Sequence, residues 1–376
     1  MSLARISVII VSYNAPCFLE VCLDSVKASL QGLDGEIIIV DNASREGCVE
    51  MVRGRFPDVE LLVNEENVGF SRAVNQGVRK ATGEYILILN PDSVLPEDGL
   101  EKVLDFAVSQ KELGAVGCRF IDGTGALLPE CKRNLPGIGS ALLKLVGLNF
   151  GYYADQLEER ETGEVEVLTG AFMFMRRDLF EEMKGFDEDY FMFGEDIDLS
   201  FRIRNAGYRN YYLGQVSIIH FKGESSVKDL RYLRNFYGAL EIYYQKHFRT
   251  HRLGRSVLRA LVRTAVGFRM GKASSRATLR QSPESFTYLG QRQQIYEGLR
   301  ERMEGLRPRF VRDREGWEPE PEDFLLFDGE SLTFSEIISH IDSAPAQARK
   351  RIIGSSGQFF IGSDDPAHPG ICRSIP

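Results

Sequence analysis

The sequence has no run of apolar residues approaching the roughly 20 that a membrane-spanning helix needs, which predicts a protein that is soluble or lies on a membrane surface. It also lacks a C-x-x-C pair. Its six cysteines (Cys17, Cys22, Cys48, Cys118, Cys131 and Cys372) are scattered over 376 residues with no histidine at zinc-ligand spacing. That pattern predicts reduced, buried thiols in a cytoplasmic protein. Glycine and proline, 36 and 14 residues, follow no period, which excludes a collagen-like chain. The first strand-to-helix turn reads Val11-Ser12-Tyr13-Asn14-Ala15-Pro16, without the G-x-G-x-x-G of a dinucleotide site. Neither a P-loop nor a G-x-S-x-G nucleophile turn occurs, which argues against nucleotide hydrolysis of that type and against an α/β-hydrolase.

What is present is a globular composition: 43% apolar, 10% aromatic and 27% charged residues, with a formal net charge of -8. The 24 phenylalanines and 14 tyrosines supply far more apolar area than a disordered chain carries. Acidity is uneven. Between Glu241 and Glu284 there is no acidic residue but ten Lys or Arg, whereas acidic residues crowd around Trp317, Pro319 and Pro321. These shifts predict a main domain over 1–250, a basic helical segment over 251–312 and a small acidic module over 313–376.

Within the main domain, β-branched runs alternate with helical spacing. Strands are expected over 5–11, 36–40, 59–63 and 85–89, and helices over 18–30 and 69–81. Alternation of this kind implies a mostly parallel sheet covered on both faces, with ligands bound beyond the carboxyl ends of its strands. Ser12 and Asn14, Asp41, Asn67 and Asp92 follow the four strands in turn, so one sheet edge gathers polar side chains into a cleft.

The ordered motifs V-I-I-V-S-Y-N (8–14), I-V-D-N-A-S (39–44), N-E-E-N-V-G-F-S-R-A-V-N-Q-G (64–77), L-I-L-N-P-D-S (87–93), T-G-A-F-M (169–173), G-F-D-E (185–188) and G-E-D-I-D-L (194–199) resemble those of the inverting family-2 glycosyltransferases, in particular the rhamnosyltransferase-like branch. The resemblance covers about residues 5–250. It implies a GT-A fold and transfer of a sugar from a nucleoside diphosphate to a saccharide or lipid-linked glycan in surface polysaccharide assembly. A dTDP- or UDP-sugar donor and a magnesium or manganese ion are implied with it.

Carried over residue by residue, Asp41 would accept the imide N–H of a uracil or thymine ring, flanked by Ser12, Tyr13 and Asn14; the alternative for 41–44 is a turn and helix cap. Asn67, Gly69 and Phe70 open a helix whose N-terminal N–H groups favour an anion, and Arg72 adds a charge for the diphosphate, or else pairs with a carboxylate on the surface. Asn90-Pro91-Asp92 stands where the family has its D-x-D metal motif, leaving Asp92 as the direct ligand and Asn90 as a donor contact, with one full charge missing from the site. His220 would ligate the metal or touch phosphate; otherwise it is a packed, hydrogen-bonded histidine.

An attacking hydroxyl must lose its proton, which calls for a carboxylate within reach. The resemblance assigns that role to Asp196, with Glu195 beside it, while Asp198 reads as an ordinary acidic helix start. Thr169, Gly170 and Ala171 leave room for sugar or acceptor. The arginines at 255, 259 and 263 define a basic amphipathic helix that either contacts an anionic membrane through 253–280 or packs on the main domain. Nucleic acid is not expected as a partner, because the chain is acidic overall. The C-terminal module carries no chemical signal and suggests docking, self-association or partner binding. The competing function is a catalytically weak sugar-nucleotide-binding scaffold, motivated by Asn90 and this tail.

Overall fold

The computed structural model describes residues 5–45, 47–136, 151–222, 230–247, 283–312, 317–321, 323–364 and 370–375. It opens with β1 (Ile6–Ser12), a seven-residue strand buried at every position, as a parallel strand covered on both faces must be. Next come α1 (Pro16–Ser29), started by a proline whose missing N–H costs nothing at a helix start, then β2 (Gly35–Asp41), α2 (Cys48–Arg55), β3 (Glu60–Val63), α3 (Phe70–Val78) and β4 (Tyr85–Leu89). β1 pairs in parallel with β2 and β4, and β2 with β3. Ser12 stands directly opposite Asp41 in that register.

β5 (Ser93–Val94), α4 (Gly99–Ser109), β6 (Leu113–Ile121), β7 (Thr162–Val165), β8 (Phe172–Arg176), α5 (Arg177–Glu182), α6 (Glu195–Asn205), β9 (Arg209–His220) and α7 (Leu230–His247) complete the main domain. The nine strands form one sheet in the order β3-β2-β1-β4-β8-β6-β9-β5, with β7 also on β9. Six run one way; β5, β7 and β8 oppose them. The expected α/β, mostly parallel sheet is therefore present. Two of its pairings place the site: Leu89 opposite Phe172, and Ser93 opposite His220.

The C-terminal unit is larger than its charge pattern suggested. β10 (Ser285–Leu289), α8 (Gln293–Arg302), β11 (Arg307–Val311), β12 (Asp323–Asp328), α9 (Phe334–Ser343), β13 (Arg349–Ile353), β14 (Phe359–Ser363) and β15 (Ile371–Ser374) build a six-stranded sheet, order β11-β10-β12-β13-β14-β15. The sheet thus begins within the segment read as 251–312, and the acidic Pro-rich stretch connects β11 to β12 inside it. The basic helix expected over 253–271 lies outside the described residues.

This unit packs on the main domain against α1, β5 and the end of β9. Phe18, Val21, Val94, Ile219 and Phe221 share one apolar core with Leu325, Phe327, Phe334, Ile337, Ile341 and Phe359. Polar contacts fix the alignment. The Glu97 carboxylate accepts the N–H groups of Phe334 (2.6 Å) and Ser335 (2.9 Å) at the N-terminus of α9. Buried Lys350 donates to the carbonyls of Thr124 (2.6 Å), Ala344 (3.0 Å) and Ile341 (3.1 Å). A disulfide joins Cys17 in α1 to Cys372 in β15, which corrects the expectation of six reduced thiols; Cys22, Cys48, Cys118 and Cys131 are buried and free.

Candidate active site

At the ends of β1 and β2, Asp41 is 1% exposed. Its Oδ1 accepts the Ser44 N–H at 2.9 Å, so the turn-and-cap role exists. Its Oδ2, however, is buried with no partner among the described residues, as is Ser12 Oγ opposite. An orphaned buried polar atom costs about 1–3 kcal/mol, so two side by side point to a ligand that supplies hydrogen-bonding groups. The loops around them are locked together: Asn14, in the left-handed region at φ 53°, donates its N–H to Ser44 Oγ (2.9 Å) and accepts from the Arg45 N–H (2.7 Å). Tyr13, between Ser12 and Asn14, is half-buried.

At the entry to α3, three N–H groups have protein acceptors. Asn42 Oδ1 accepts from Val68 N–H, Asn67 Oδ1 from Gly69 N–H, and the Phe191 carbonyl from Phe70 N–H at 2.8 Å. These donors are taken by protein in this state. Gly69, at φ 87°, lies so close to Phe191 that a Cβ would sit 2.6 Å from its carbonyl oxygen. Arg72 is largely exposed and pairs with Glu188 at 3.3 Å, the surface alternative to a diphosphate contact.

β5 and β9 bring together two residues far apart in sequence. His220 Nε2 lies 3.4 Å from Asp92 Oδ1 and 3.2 Å from Asn90 Nδ2. Burial opposes the imidazolium, but the Asp92 carboxylate outweighs it and raises the His220 pKa. Among the described residues no three His, Cys, Asp or Glu side chains converge on a metal position. The donor set still fits a hard divalent cation bound through few protein ligands: adjacent ligands of an octahedral ion with bonds of 2.0–2.1 Å are about 3 Å apart, close to the Asp92–His220 spacing. Asn90, whose amide oxygen and nitrogen exchange by a flip, adds an oxygen donor.

α6 supplies the two carboxyls. Gly194, at φ 83°, turns the chain into it. Asp196 is 8% exposed; its Oδ2 accepts from Arg133 Nη2 at 2.6 Å and from Gly170 N–H at 3.2 Å, and its Oδ1 from Ile197 N–H at 2.8 Å. Glu195 is equally buried, but its Oε2 finds no partner among the described residues. Burial, with the Asp196 carboxylate next to it, pushes the Glu195 pKa up to about 8. Asp198 is no ordinary helix start: it is 1% exposed, accepts from Arg202 and lies 2.6 Å from His247 Nε2.

Thr169, Gly170 and Ala171 connect these parts. A Cβ on Gly170 would meet Phe70 at 3.4 Å and Asp196 at 3.7 Å, and the Ala171 carbonyl accepts the Asn90 N–H at 3.0 Å. The structure therefore places Asp41 and Ser12, Asn90, Asp92 and His220, and Glu195 and Asp196 along one sheet edge. Arg133 was missed by sequence reasoning, and nothing in Cys131-Lys132-Arg133-Asn134 distinguishes it from a surface cation.

The glycosyl transferase family 2 model matches residues 7–184. An N-acetylglucosaminyl-diphospho-decaprenol L-rhamnosyltransferase of Mycobacterium tuberculosis is 27% identical over 240 residues, covering 59% of this chain and 78% of that one. Rhamnosyltransferase WbbL of Escherichia coli is 31% identical over 149 residues, 39% of this chain and 56% of the relative. Among solved structures, a mannosyltransferase from Pyrobaculum calidifontis in complex with GDP-Man and Mn2+ overlaps with a TM-score of 0.48 at 20% identity, covering 72% of this chain and 76% of that one.

Proposed function

We propose, from the match of residues 7–184 to the glycosyl transferase family 2 model, that the chain moves a sugar, with inversion, from a dTDP- or UDP-linked donor to a hydroxyl of a saccharide or lipid-linked glycan in cell-surface polysaccharide assembly. The observation that carries this reading is the pair of buried, unpartnered oxygens, Asp41 Oδ2 and Ser12 Oγ, in register on the edge that also holds Asp92, His220 and Asp196. A pyrimidine imide N–H is the donor that Asp41 lacks. Rhamnose as the transferred sugar is favoured by the names of both relatives, and a decaprenyl-diphosphate-linked acceptor by that of the Mycobacterium tuberculosis one.

Asp92, His220 and Asn90 would hold Mg2+ or Mn2+. When bound, such an ion offsets the negative charge that develops on the departing diphosphate. The protein's own groups do the rest. Asp41 and Ser12 fix the base, Gly170 keeps the space between Phe70 and Asp196 free of a side chain, and Asp196 takes the proton of the attacking hydroxyl. Inversion follows from a single in-line displacement with no covalent intermediate. Arg72 would reach the diphosphate by exchanging Glu188 for it.

Among the described residues no helix is long and apolar enough to cross a membrane. A cytoplasmic enzyme reaching a lipid-linked acceptor would use the arginine-rich stretch 253–280 for surface contact. The scaffold reading is not favoured, because the relatives it would have to depart from are named as transferases. The test is release of nucleoside diphosphate from a panel of UDP-, dTDP- and GDP-sugars with a glycan-lipid extract and Mn2+. Asp41→Asn should raise the KM for the one productive donor about 10- to 100-fold, the value of a hydrogen bond to a charged group. An unchanged donor KM in that variant would remove Asp41 from the base pocket.

A further inference from the structure

Arg133 belongs to none of the motifs, yet it has the shortest hold on the proposed base. Its backbone is pinned on two sides: N–H and C=O exchange bonds with Val167 at 3.1 and 2.9 Å, and a second bridge pairs it with Tyr153. Its side chain is only 9% exposed, and a guanidinium taken out of water must be matched by acceptors. Nη2 donates to Asp196 Oδ2 at 2.6 Å and to the Leu168 carbonyl at 2.8 Å, and the Tyr152 hydroxyl hydrogen-bonds the same guanidinium.

The Asp196 carboxylate is thereby fixed by donors from two other segments and from its own helix. Arg133 and Gly170 N–H occupy Oδ2, while Ile197 N–H takes one side of Oδ1. A carboxylate offers about four lone-pair directions, so three donors leave one, on Oδ1. We propose that Arg133 is a positioning residue for the transfer: it clamps Asp196 so that the free lone pair of Oδ1 faces the acceptor hydroxyl. Through Leu168 it ties that aim to the Thr169, Gly170 and Ala171 segment that leads into β8 beside Asn90. The guanidinium does not touch substrate; it acts through Asp196.

Energetics favour this over a purely structural role. A buried ion pair adds little to stability compared with apolar residues of similar volume, because desolvation offsets the attraction. Misplacing a reacting group by about 1 Å can cost about 100-fold in rate. Removing one partner alone leaves the other's charge buried and is strongly destabilising, so turnover of the single variants is compared at a temperature where the thermal melts show each of them folded.

The inference rests on the reading of Asp196 as the base, and the experiment distinguishes the two. Steady-state kinetics are measured on the full chain as wild type, Arg133→Met, Arg133→Lys and Asp196→Asn, with thermal melts alongside. The expected result is that Arg133→Met lowers kcat about 100-fold with donor and acceptor KM unchanged. Arg133→Lys, which keeps the charge but not the fork, should recover part of that loss. Wild-type kcat in Arg133→Met, equal losses in both Arg133 variants, or a rise in acceptor KM at constant kcat would overturn the positioning role while Asp196→Asn stays inactive. Turnover surviving in Asp196→Asn would overturn the base assignment itself, and the clamp with it.

Discussion

Glu195 and Asp196 are neighbours in sequence with opposite surroundings: three donors reach Asp196, and one oxygen of Glu195 has none. With its pKa pushed up to about 8 by burial, Glu195 keeps a proton in the folded chain that the unfolded chain, near 4.5, has lost. The folded state then binds more protons between those two values, so its stability falls as pH rises from about 4.5 to 8. Glu195→Gln, which stays neutral throughout, should match the wild type in denaturant midpoint near pH 4.5 and exceed it at pH 8. A constant difference across that range would contradict the burial of a protonated Glu195. The strand-end residues Ser12, Asp41 and Asp92 were legible because a parallel sheet delivers its polar termini to one edge, whereas the E-D pair came from the family resemblance. Arg133 and the burial of Asp198 were not, since their partners come from segments distant in sequence and leave no local pattern.

At the scale of elements, the alternation of β-branched runs with helical spacing located β1 to β4 and α3, and the register of Ser12 opposite Asp41 follows from parallel pairing. What it could not show is β8, which enters antiparallel between β4 and β6 and carries Gly170 and Ala171 to the cleft just ahead of it. Nor could it show that β5, two residues long, pairs with the end of β9 and so joins Asp92 to His220. Strands β10 and β11 were hidden for a different reason. Arg307-Pro308-Arg309-Phe310-Val311 is an edge strand, where proline and charge are tolerated because one side of the backbone needs no partner.

At the scale of the molecule, the C-terminal sheet shares an apolar core with the main domain. The module's acidity gave no sign of the apolar face of α9 and β12 that packs on α1 and β9. Ending the chain at 282 would bare Phe18, Val94, Ile219 and Phe221 and remove the helix terminus that Glu97 neutralises. The truncated chain should aggregate, or melt with loss of cooperativity, in a thermal unfolding experiment. A soluble, cooperatively folded chain of 1–282 would show instead that the two sheets are independent.

The central claim is that one sheet edge both holds a nucleoside-diphosphate sugar and removes the proton of an acceptor hydroxyl through Asp196. The most direct test is nucleoside diphosphate release with the productive donor and the glycan-lipid extract, wild type against Asp196→Asn, at equal fold as judged by thermal melting. Loss of about a thousandfold in kcat, within the range of removing a general base, with donor affinity retained is the expected result. Equal turnover in the two proteins would contradict it.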